Sequence, residues 1–210
     1  MFKTRLAPAA AFACALLVSG HCEASEPGAT GPRYTAAQLQ ASERIDALHV
    51  DAKELAMAGD FKRALTKWRK GLSIAESAFG EGPYVDLMLT SIGLAQANLG
   101  QFEQSEASYL RALAMRERLK TKEDEESATL YLNTGLLYAN TGRPLQAEPF
   151  LRRALEVMTL YPPKDEGRLA FTIETLANVL RRNGKDAEAE ALARGPGGPR
   201  LVVRPPSARP

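Results

Sequence analysis

Few side chains in this sequence are placed to do covalent chemistry. Its two histidines are His21 and His49, its two cysteines are Cys14 and Cys22, and no pair of His, Cys or carboxylates shows the spacing of metal ligands. Neither a Gly-Lys-Ser/Thr phosphate loop nor a Gly-x-Ser-x-Gly elbow occurs. The expectation is a protein that is not an enzyme, with no catalytic residue, no metal and no cofactor. What remains is recognition chemistry: amides and hydroxyls that exchange hydrogen bonds, and apolar side chains that shed water on contact. Such residues recur at spacings of four and eight, which put them on one face of a helix. They are His49, Lys53 and Met57; Thr90, Leu94 and Asn98; Leu132, Leu136 and Asn140; and Glu174, Asn178 and Arg182.

The elements that carry these faces are set by glycines. Gly59, Gly100 and Gly142 stand 41 and 42 residues apart, and Gly184 follows 42 later. A fixed period of this size means stacked supersecondary units rather than one closed globule. Seven positions before the glycines come Ala52, Gly93, Gly135 and Ala177, and five after come Ala64, Ser105, Ala147 and Ala189. Two antiparallel helices approach closely only where facing side chains are small, so these positions read as the crossing point of a helical hairpin. The glycines are its turn, because Gly enters the left-handed region without a Cβ clash. Trp68, Tyr109 and Leu151, then Leu72, Leu113 and Leu155, continue a core stripe on the second helices. Leu48 and Leu55, Leu89 and Ile92, Tyr131 and Tyr138, and Ile173, Leu176 and Leu180 do so on the first.

This frame resembles the tetratricopeptide repeat, over roughly residues 43 to 194. The fullest match is Gly135-Leu-Leu-Tyr138-Ala-Asn-Thr-Gly142-Arg-Pro-Leu-Gln-Ala147-Glu-Pro-Phe-Leu-Arg-Arg-Ala154-Leu155, and the 42-residue spacing is similar to the kinesin-light-chain variant. Departures are Gln96 for a bulky residue, Pro144 for an aromatic, and Asp51 and Thr134 for Leu. The resemblance implies an all-α fold, a right-handed α-solenoid of about four stacked helix-turn-helix hairpins. It also implies a concave groove that receives a protein or peptide segment. His49, Lys53, Thr90, Leu94, Asn98, Leu132, Leu136, Asn140, Asn178 and Arg182 would line that groove. There Asn98, Asn140 and Asn178 would hydrogen-bond a ligand backbone, and Leu94, Leu132 and Leu136 would hold an apolar side chain. The bland reading stands beside it: Asn near a helix end is a common terminator, and exposed leucines pack on adjacent helices.

The ends of the chain read differently. Residues 1–24 have a basic start, an apolar run from Leu6 to Gly20, and small residues before Ser25, the pattern of a secretory signal peptide cut after Ala24 or after Gly20. Its apolar run is short for a membrane anchor, and Cys22 lacks the residues that precede a lipoprotein cysteine. The expected location is the periplasm, with no membrane span after cleavage. Residues 25–34 read as a flexible linker, 35–194 as the solenoid, and 195–210, rich in Pro and Arg, as an unpacked tail. With 27 basic and 25 acidic residues the charge is nearly balanced, which argues against a nucleic-acid partner. The acidic run Glu123-Asp-Glu-Glu126 reads as a solvated loop. The expected function is an exported adaptor; the alternative is a structural subunit forming a homodimer through its last repeat.

Overall fold

The computed structural model describes residues 34–163 and 166–195, and among these residues every regular element is a helix. The folded unit begins at Tyr34. The segments read from the sequence as a signal peptide, as nearly all of the linker and as the tail beyond Gly195 therefore lie outside the described residues. Tyr34, assigned from the sequence to the linker, belongs to the folded unit, its ring edge-on to Phe79 at 5.7 Å.

Among the described residues eight helices pair into four hairpins: α1 (Ala36–Met57) with α2 (Phe61–Phe79), α3 (Pro83–Asn98) with α4 (Phe102–Leu119), α5 (Glu125–Asn140) with α6 (Pro144–Leu160), and α7 (Glu166–Arg182) with α8 (Asp186–Arg194). Each hairpin packs on the next, giving an all-α solenoid. Every turn glycine has a positive φ, at 82°, 73°, 78° and 76° for Gly59, Gly100, Gly142 and Gly184. The residue after each glycine donates its N–H back into the preceding helix: Asp60 to Leu55 O, Gln101 to Gln96 O, Arg143 to Tyr138 O and Lys185 to Leu180 O, at 2.8–2.9 Å. The free carbonyls of four helix ends are satisfied by one repeated motif.

The small residues sit where the frame requires them. Ala52, Ala64, Ser105, Ala147, Ala177 and Ala189 are fully buried, and the Ser105 hydroxyl donates to Gly93 O at 2.8 Å. A Cβ on Gly135 would lie 2.6 Å from Leu151 Cγ and 3.3 Å from the Leu151 backbone nitrogen, so this glycine is required by packing. In an isolated helix Gly→Ala gains about 1 kcal/mol. Here Gly135→Ala is expected to lose about 1–3 kcal/mol by overpacking, read as a lower urea midpoint. A gain in stability would mean that the helices do not touch there.

One departure from the repeat acquires a reason. The position of Asp51 is taken by Ile92, Thr134 and Leu176 in the other first helices, all buried against the preceding hairpin. Likewise Glu54 corresponds to Ala95, Leu137 and Val179, which are also buried. Among the described residues no helix precedes α1, so Asp51 and Glu54 face solvent, and Asp51 pairs with Lys67 at 2.8 Å. The acidic run is not simply a solvated loop. Asp124 caps α5 in a capping box with Ser127, and Glu123, Asp124 and Glu125 pair with Arg153, Arg116 and Arg168.

Candidate functional site

The backbones of the first helices of neighbouring hairpins approach one another, α1 to α3, α3 to α5 and α5 to α7, whereas neighbouring second helices stand further apart and are linked by long side chains, Arg111 to Glu76 and Arg152 to Glu188. The stack is therefore tighter along its first helices, and their free faces line its inner side. On α3 the face left open by packing carries Leu87, Thr90, Leu94 and Asn98, with Leu94 38% exposed. On α5 it carries Thr129, Asn133, Leu136 and Asn140, and on α7 Phe171, Glu174, Asn178 and Arg182. On α1 it carries Asp46, Val50, Lys53 and Met57.

Two of the residues expected in the groove are held elsewhere. Leu132 is only 6% exposed and belongs to the core of the last two hairpins, so it is not available to a ligand. The buried arc of α5 is wider than a simple opposite-face rule allows, and Asn133 takes the place assigned to Leu132. His49 is half-buried and its Nδ1 accepts a hydrogen bond from the Trp68 indole at 3.1 Å. Trp68 is buried, and a buried indole N–H needs an acceptor, so His49 serves the core. Burial, reinforced by Lys53, holds its pKa below the ordinary histidine value.

The other expected residues reach the inner face with different degrees of freedom. Lys53, Leu94, Asn98, Asn140, Asn178 and Arg182 are exposed, and Thr90 and Leu136 half-exposed. Asn98 Nδ2 donates to Leu94 O at 2.9 Å, Asn178 Oδ1 accepts from Arg181 at 2.8 Å, and Arg182 donates to Ala139 O at 2.8 Å. Arg182 thus closes the end of α5 rather than standing free. Asn140 makes no hydrogen bond among the described residues. Residues missed in the sequence are Asp46, Leu87, Thr129 and Phe171, all thirteen positions before the turn glycines and all at least partly exposed. The same frame, extended by one helical turn, would have found them.

The electrostatics of this face are uneven. From Leu87 to Asn98 on α3 and from Thr129 to Asn140 on α5 the open faces carry no charged side chain, only leucine, threonine and asparagine, while Glu126 is exposed one turn earlier at the start of α5. Charge returns at both flanks, with Asp46 and Lys53 on α1 and Glu174 and Arg182 on α7. Burial pushes the Asp46 carboxyl above its usual value. Below α5, Arg168 donates to Glu125 at 3.1 Å and to the Thr129 hydroxyl at 2.6 Å, bridging α7 to α5. Among the described residues no group of three His, Cys, Asp or Glu side chains stands close enough to hold a metal, and no helix is long and apolar enough to cross a membrane.

Residues 84–160 match the family model described as tetratricopeptide repeat. Among solved structures the chain is similar to BtubC (BKLC) from P. vanneervenii, with TM-score 0.65 and 22% identity over 77% of this chain and 63% of that one. It is similar to a putative kinesin light chain from Podosopora anserina with nearly identical TPR-like repeats, with TM-score 0.64 and 16% identity over 71% and 72%. A tpr-like protein from Chlorobium tepidum TLS gives TM-score 0.56 and 17% identity over 68% and 98%. No curated protein matches the sequence. Residues 84–160 thus match the tetratricopeptide repeat, and the chain's structural neighbours include kinesin-light-chain-like repeat proteins.

Proposed function

We propose that the protein is an exported adaptor that holds an extended segment of a partner protein along the inner faces of α3 and α5, with no catalysis of its own. The observation that carries this reading is the uncharged strip of Leu87, Thr90, Leu94, Asn98, Asn133, Leu136 and Asn140 between charged flanks. Leucines remove an apolar side chain from water, and asparagines both donate to and accept from a peptide backbone. A charged segment entering this strip would lose hydration without gaining a partner, so the ligand is largely uncharged at its centre.

The test uses the chain as affinity bait in an envelope extract of the source organism. An Asn98→Glu, Leu136→Glu variant is expected to weaken capture of a specific partner at least about 100-fold, the scale of losing two central contacts. Capture of the same proteins by both baits, or of none by either, would refute groove binding. Light scattering on the wild type should find a monomer across micromolar concentrations; a dimer would favour the self-associating alternative. Export is tested separately by fractionation, with the periplasmic protein expected to begin at Ser25 or His21. A protein that keeps Met1 in the cytoplasm would remove export from the proposal.

A further inference from the structure

The outer side of the first hairpin carries a different surface. Within nine residues α2 places Lys62, Arg63, Lys67, Arg69 and Lys70, and its only acidic residue is Glu76. Lys62, Thr66, Arg69 and Ser73 follow each other at three- and four-residue steps along one exposed face, with Lys70 beside Arg69, and the face ends at Glu76, which pairs with Arg111. What sets the stripe apart is that three cations without an ion pair among the described residues share one helix face. Arg111, Arg116, Arg118, Arg143, Arg152, Arg153 and Arg168 each reach an acidic partner, most of them across to another helix or loop. On α2, Arg63 and Lys67 find Asp60 and Asp51, but Lys62, Arg69 and Lys70 make no ion pair among the described residues.

We propose that this stripe docks the protein on an anionic lipid surface. Three features favour lipid headgroups over an acidic protein. First, α2 is a second helix, so it lies on the wider, outer side of the stack, where a flat extended surface can meet it. Second, no large hydrophobic side chain of α2 is among the exposed ones, and specific protein interfaces take their energy from such anchors. Third, lysine and arginine on a flexible stem need only a diffuse field of negative charge, which a headgroup layer supplies and which acts within a Debye length. The inner face of α3 and α5 is turned away from this stripe, so docking leaves the proposed groove accessible. The two proposals are independent.

The test is co-sedimentation of the full chain with vesicles of phosphatidylcholine alone and of phosphatidylcholine with phosphatidylglycerol. Each cation at an anionic surface raises the partition coefficient about fivefold, so Lys62→Gln, Arg69→Gln, Lys70→Gln together should lower it about 100-fold. A charge-matched control, Lys120→Gln, Lys122→Gln, Arg181→Gln, removes three cations elsewhere and should bind like the wild type. All three proteins share residues 1–33, so any membrane affinity of that segment is common to them and appears with neutral vesicles. The supporting result is binding that requires phosphatidylglycerol, weakens with added salt and is lost only from the α2 variant. Equal loss in the control would reduce the effect to net charge and overturn the proposal. So would binding indifferent to phosphatidylglycerol, or binding to poly-glutamate without binding to vesicles.

Discussion

Arg116→Met is expected to cost about 3–5 kcal/mol, because it leaves a carboxylate buried without its partner. Asp86 is 6% exposed and sits where the other hairpins place Ile45, Ala128 and Ala170. Arg116 Nε reaches Asp86 Oδ2 at 2.7 Å, while its Nη1 reaches Asp124 Oδ1 at 3.0 Å and the Ser127 hydroxyl. One guanidinium therefore ties α4 to α3 and to the start of α5. This joint lies where the buried core divides into two clusters, with α5 contributing to both. Burial pushes the Asp86 carboxyl above its usual range despite the arginine beside it. At Asp124 the same burial is outweighed by Ser127 and Arg116, and the carboxyl falls below that range. Urea unfolding should show the loss in Arg116→Met as a lower midpoint. The double variant Arg116→Met, Asp86→Leu should recover most of it, since an apolar pair of similar volume replaces a buried ion pair at little cost. A single variant within about 1 kcal/mol of wild type would mean that the joint does not depend on this pair.

Glu148 predicts the second large effect, on the response to acid. Its carboxylate is 8% exposed and accepts from Lys185 at 2.7 Å, from Asn183 at 2.8 Å and from Arg152 at 2.8 Å. Burial alone would raise its pKa; the bonds from Lys185, Arg152 and Asn183 outweigh it and bring the value down to about 2. The folded value lies below the ordinary carboxylate value of 4.5, so the stabilisation is present above pH 4.5 and is lost as pH falls towards 2. Its size at neutral pH is at most about 3 kcal/mol. Lys185 and Asn183 belong to the last turn, so the loss falls on the attachment of α7 and α8 to α6. Glu148→Gln should be less stable than wild type at pH 7, with most of the difference gone at pH 2.5, measured by urea midpoints. Parallel stability curves for the two proteins would show that the carboxylate has no special role.

Much of this architecture was legible in the sequence because local rules set it. A left-handed turn favours glycine, and a close helix crossing favours Ala, Gly or Ser, wherever the helices later pack. Gly59, Gly100, Gly142 and Gly184 and the small residues around them thus located four hairpins. Periodicity alone also leaves Leu94, Asn98 and Asn140 exposed on their first helices, with Leu136 half-exposed beside them.

What the sequence could not decide was how wide the buried arc of each first helix is. Leu132 and Asn133 are neighbours on one helix, and only the packing of α5 against the last two hairpins buries the first and opens the second. The role of His49 depended on the Trp68 indole reaching it from another helix. The Arg116 and Glu148 networks join residues up to 37 positions apart, and their partners are set by how hairpins stack. By itself the sequence determined the repeat, the turns and the helical faces, which rest on backbone conformation and side-chain size within one hairpin. The tertiary structure alone decided which polar groups are spent on holding hairpins together and which remain for a partner, because burial and ion pairing depend on distances between hairpins.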